Sequence, residues 1–88
     1  MQKVLLPIRM YSCHDEEGNI LPLRFRAEDE REERFVVQIE KVLLQEEVKV
    51  AGRRMINYRC RGLNGRKMNQ YELSFELASC RWYLALWS

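Results

Sequence analysis

Histidine occurs once, proline twice and glycine four times in these 88 residues. No apolar run approaches the roughly 20 residues needed to cross a bilayer. The longest C-terminal run, Trp82 to Trp87, is far too short. The opening MQKVLLPIRM has a brief apolar patch. It lacks the length and the small-residue cleavage site of a secretory leader, so the cytoplasm is the expected compartment. Three cysteines, Cys13, Cys60 and Cys80, are an odd number without tight spacing. That argues against a disulfide framework and fits a reducing environment.

These scarcities also exclude most chemistry. His14 stands between Cys13 and Asp15, but neighbours on a strand point to opposite faces, so a Cys–His nucleophile and base would not normally meet. Cys13, His14, Cys60 and Cys80 lack the short paired spacing of a structural zinc site. The acidic AEDEREE run lacks the alternating oxygen ligands and central glycine of a calcium loop. The glycines form no phosphate-cradling loop. The expectation is no catalytic residues, no metal, no cofactor and no small-molecule substrate.

What is present is apolar residue and charge. The chain is 47% hydrophobic and 32% charged, the composition of a folded globular domain. Its length suits a single domain, 1–88, with a thin core. Charge is divided along the chain. Residues 15–47 hold eleven acidic and five basic side chains, and residues 48–88 hold two acidic and eight basic. Either the halves neutralise one another or they form two faces.

The C-terminal half reads as a meander. Asn64-Gly65 is a two-residue turn signal. Centred there, a hairpin sets Tyr58 against Tyr71 and Ile56 against Leu73. A second turn at Ser79-Cys80 sets Leu77 against Trp82, Phe75 against Leu84 and Leu73 against Leu86. Strands at 54–62, 67–77 and 81–87 then share an apolar face from Ile56 to Leu86. In the N-terminal half Val4, Leu6, Ile8 and Met10 alternate, Glu17-Gly18-Asn19 marks a turn, and Leu21, Leu23 and Phe25 alternate. Pro22 cannot donate to a ladder and belongs at an edge or a strand start. Phe35, Val37 and Ile39 open a strand running to about Leu44, with a bulge near Lys41 where the period breaks. A helix over 28–44 competes, but the β-branched FVVQI opposes it. The acidic stretch 27–33 holds at most a short helical turn. The sum is an all-β fold, a five- to six-stranded antiparallel barrel of SH3-like or OB-like size.

The segments GNILPLRFR, VVQIEKVL and AGRRMINYRCRGLNGRKMNQYELSFELASCRWYLALW resemble short uncharacterised proteins of clostridial and related Gram-positive bacteria. The YEL…WYL ending is loosely similar to a small accessory domain linked to bacterial translesion polymerases. Neither resemblance implies an activity or a functional residue. It implies a bacterial origin, and the second favours nucleic acid.

Most rings in the C-terminal segment are needed inside so small a core. Tyr83 and Trp87 project from the opposite face, and Arg59 and Arg61 share it. On the expected register Trp87 faces Glu72, which faces Asn57. Two uses fit. One is a protein partner or homodimer, because Trp, Tyr and Arg are enriched at interface centres. The other is nucleic acid, with rings stacking on bases and arginines on phosphates. The basic cluster Arg53, Arg54, Arg59, Arg61, Arg66 and Lys67 supports the second, provided acidic residues do not neutralise it. The leading expectation is a non-catalytic binding module for a protein or its own second copy.

Overall fold

The computed structural model describes residues 2–28 and 31–87. Six strands, β1 (Lys3–His14), β2 (Ile20–Glu28), β3 (Arg34–Val50), β4 (Arg53–Asn64), β5 (Lys67–Glu76) and β6 (Arg81–Trp87), close into one antiparallel barrel. Each strand pairs with its sequence neighbours, and β6 returns to β1. The all-β barrel expected from turn spacing is present, at the higher of the two strand counts. No helix occurs among the described residues. Ala27 and Glu28 complete β2, and Arg31 forms part of a turn. Asp29 and Glu30, where the helical turn was expected, lie outside the described residues.

The turns reverse one residue away from the expected places. Asn64 pairs with Lys67, so Gly65 and Arg66 are the central residues. Gly65 has φ of 64°, the positive value a type II′ hairpin turn needs at its first central position. Tyr58 therefore faces Leu73 rather than Tyr71, and Ile56 faces Phe75 rather than Leu73. The next connection is the loop 77–80. It sets Phe75 against Trp82 and Leu73 against Leu84, where Leu84 and Leu86 were expected. Its last residue, Cys80, has φ of 57° and donates its N–H to the Glu76 carbonyl at 2.9 Å. Both displacements amount to two positions along the partner strand. Side chains alternate with period two, so the faces survive. Leu86 is the exception: expected inside, it lies beyond the last β5–β6 pair and is 43% exposed.

Bulges shape the N-terminal half. Between Tyr11 and Ser12 the β1–β2 register shifts, so that Tyr11 pairs with Arg24 and Ser12 with Pro22. Leu23 is the extra residue and stays exposed, while Pro22, Phe25 and Ala27 are buried. The expected alternation of Leu21, Leu23 and Phe25 on one face is thus broken. Pro22 lies where β2 has no β3 neighbour, since that pairing begins at Arg24. On β3 the shift between Ile39 and Lys41 is the predicted bulge; a second falls between Val42 and Leu44. β3 continues past Leu44 to Val50 and turns through Ala51-Gly52 into β4. At the β1–β2 turn, hydrogen bonds from the Asn19 side chain and backbone, above all, hold the Asp15 carboxyl below its usual range.

The core fills the barrel with Phe25, Ala27, Val37, Tyr58, Cys60, Leu73, Phe75, Trp82 and Leu84. Each fully buried large side chain contributes about 1.5–3 kcal/mol. Edge-on rings set the packing: Phe25 lies 5.5 Å from Tyr71 and 6.4 Å from Phe35. Trp82 lies 5.0 Å from Phe75 and 5.2 Å from Tyr58. The Tyr58 hydroxyl donates to the Ile20 carbonyl at 2.7 Å, satisfying a buried phenol.

Candidate functional site

One seam of the barrel is only partly closed. β5 and β6 pair from Leu73–Leu84 to Glu76–Arg81. Beyond that, β5 stays on β4 and β6 stays on β1, with Ala85 opposite Leu5 and Trp87 opposite Lys3. No ladder joins 67–72 to 85–87. Backbone N–H and C=O groups along such an edge form a template for another strand.

Between the parted strands is a groove of about 490 Å³. Phe35, Tyr71, Leu84, Leu86 and Trp87 form its apolar lining, and Arg59 and Glu72 add an ion pair at 3.5 Å. Trp87 is 58% exposed. Lys3 sits 5.7 Å from its ring centroid and holds it by a cation–π contact. A hollow of about 170 Å³ nearby is lined by Lys3, Glu46, Arg59 and Glu72, among others. Carboxylates therefore stand beside cations throughout this region.

Of the four residues singled out from the sequence, the groove brings together two. Arg59 and Trp87 line it; Arg61 and Tyr83 do not. Trp87 does not face Glu72 across a ladder, because the strands have parted there. Arg61 lies 3.8 Å from Glu40, and its Nε is enclosed without a hydrogen-bond partner. Tyr83 stands between Ser74 and Pro7 on neighbouring strands and is half-buried. Tyr71, expected wholly inside, and Leu86 complete the lining. Their role depends on where β5 and β6 separate, which alternation along one strand does not encode.

The basic cluster is largely neutralised by carboxylates close to it. Arg53 pairs with Glu76 at 3.4 Å and Arg54 with Glu47 at 2.5 Å; Arg59 and Arg61 pair with Glu72 and Glu40. The partners come from β3 and β5, so the neutralisation is local to the sheet. Among the described residues no carboxylate lies within ion-pair distance of Arg66 or Lys67 at the turn.

The cysteines do not converge. Cys60 is buried, Cys13 half-buried and Cys80 exposed, all as free thiols. Burial pushes the Cys60 thiol up to about 11, which suppresses the nucleophilic thiolate. Among the described residues no three His, Cys, Asp or Glu side chains form a metal-binding group. Compared with family models, with curated proteins and with solved structures, the chain gives no match.

Proposed function

We propose that this barrel is a non-catalytic, SH3-like bacterial binding module of the cytoplasm, and that a protein segment or a second copy of the chain docks in the β5–β6 groove. The observation that carries the reading is the parted seam. It combines an unpaired β5 edge with an apolar trough ending at exposed Leu86 and Trp87. An extended segment would pair its backbone with 67–72 and set alternate side chains against Tyr71, Leu86 and Trp87. The Arg59–Glu72 pair at the rim would select polar neighbours. The alternative, nucleic acid held by Arg59, Arg61, Tyr83 and Trp87, has less support. Both arginines are already ion-paired, and Glu46 and Glu72 would repel phosphates.

Panning a random-peptide display library against the wild type and against Leu86→Ser and Trp87→Ala tests the reading. Groove-dependent peptides are expected, lost in both variants and protecting the Gln70 and Glu72 amides, which point away from β4 to the free edge, from hydrogen exchange. Sedimentation of the same three proteins tests the second-copy form, in which a dimer dissociates when Trp87 is removed. No groove-dependent peptide, together with a monomer in every case, overturns the proposal.

A further inference from the structure

The barrel carries another charged surface, on the outer face of β1, β2 and β3. Arg9 stands directly opposite Arg26, and Tyr11 directly opposite Arg24. Like charges placed opposite one another across a ladder destabilise a sheet. Carboxylates answer four of the arginines on β4. Here they do not: among the described residues no carboxylate lies within ion-pair distance of Arg9, Arg24 or Arg26. The nearby Glu28 is taken by Arg34 at 3.2 Å. A groove of about 420 Å³ runs past Pro7, Arg9, Arg26 and Arg34, with Glu28, held by Arg34, as the one carboxylate among the described residues of its lining. The Arg24 guanidinium lies over the Tyr11 ring, 4.5 Å from its centroid, and Tyr11 is 45% exposed. Tyr83 stands opposite Pro7, diagonal to Arg9 on the same face.

We propose that this face binds the sugar-phosphate backbone of a single-stranded nucleic acid, with Arg9, Arg24 and Arg26 on phosphates and Tyr11 stacking on a base. Three unanswered cations on one sheet face match a polyanion. Arg24 and Arg26 are two residues apart on one strand, about 7 Å, a separation commensurate with successive phosphates of an extended strand. An interleaved aromatic ring distinguishes such a strand from an acidic peptide, since every base offers a π-face and a carboxylate does not. This surface is separate from the β5–β6 groove, so either can fail without the other.

The test is fluorescence anisotropy of a labelled single-stranded oligonucleotide of about 12 nucleotides, read at low and near-physiological salt. Binding is expected to weaken with salt, with a log–log slope near −2, about −0.7 for each of three phosphate contacts. Arg26→Gln and Arg24→Gln should each weaken binding and flatten that slope by roughly a third. Tyr11→Ala should weaken binding about tenfold and leave the slope unchanged. Trp87→Ala should bind as the wild type does. Arg26→Gln should melt no lower than wild type, because it relieves the opposition to Arg9; Arg24→Gln, at an exposed position, reads the contact independently of folding. No binding at low salt overturns the proposal, as do slopes unchanged in both arginine variants. Equal competition by polyglutamate would also overturn it, and would make the face a site for acidic protein.

Discussion

Gly62 shows how much one missing side chain can decide. A Cβ built there would lie 2.6 Å from Val37 Cγ1 and 3.0 Å from the Gln38 carbonyl oxygen. Val37 is fully buried and the carbonyl is fixed by its strand, so neither gives way cheaply. Gly62→Ala should cost about 1–3 kcal/mol, the range for overpacking a filled core. It should appear as a lower urea midpoint with unchanged slope. From the sequence, Gly62 was simply the end of a strand, because no pattern along β4 says which residue of β3 presses on it. The same blindness affected the arginines. The sequence marked Arg59 and Arg61 by their place on an outer face, but their glutamates arrive from other strands. Arg9 and Arg26, far apart in sequence, meet only through pairing.

At the level of strands and turns, parity was readable and register was not. Apolar alternation assigned Tyr58, Cys60, Leu73, Phe75, Trp82 and Leu84 to the inside, and they are buried. A turn misplaced by one residue shifts partners by two, and a period of two hides that error. Bulges are different: each reverses parity, which is why Leu23 escaped the expected face. The β5–β6 groove depends on where pairing stops, so it could not be foreseen at all. Beyond Leu44 the pattern also failed, because Gln45–Glu47 and Lys49 are polar on both faces of an exposed hairpin. Its turn was camouflaged by alanine. Ala51 and Gly52 have φ of 51° and 81°, the two positive values of a type I′ turn, which favours Asn-Gly. Ala51→Asn should therefore raise stability by about 0.5–1 kcal/mol, read as a higher melting temperature.

Closure makes the molecule one cooperative unit, and two buried acids report on it. Tyr58 reaches across the barrel from β4 to the carbonyl of Ile20 at the start of β2. Burial, assisted by the neighbouring Cys60, pushes its hydroxyl from 10.0 up to about 12. Burial alone pushes the Cys60 thiol from 9.0 up to about 11. Both groups are neutral when protonated, so the folded state keeps protons that the unfolded chain releases. The unfolded state then binds fewer protons, and stability falls as pH rises. Below pH 9 the full stability is present. It declines from about pH 9 to 11 through Cys60 and from about 10 to 12 through Tyr58, by on the order of 4 kcal/mol at pH 11 and about 5 kcal/mol in total. Urea midpoints across pH 7 to 11 should trace that decline. Tyr58→Phe should cost about 1 kcal/mol at neutral pH, because the Ile20 carbonyl loses its donor, and should flatten the curve above pH 10. Cys60→Ala should flatten its earlier part. A wild-type midpoint that stays level to pH 11 would mean that these two groups are open to water. The barrel would then not close over them.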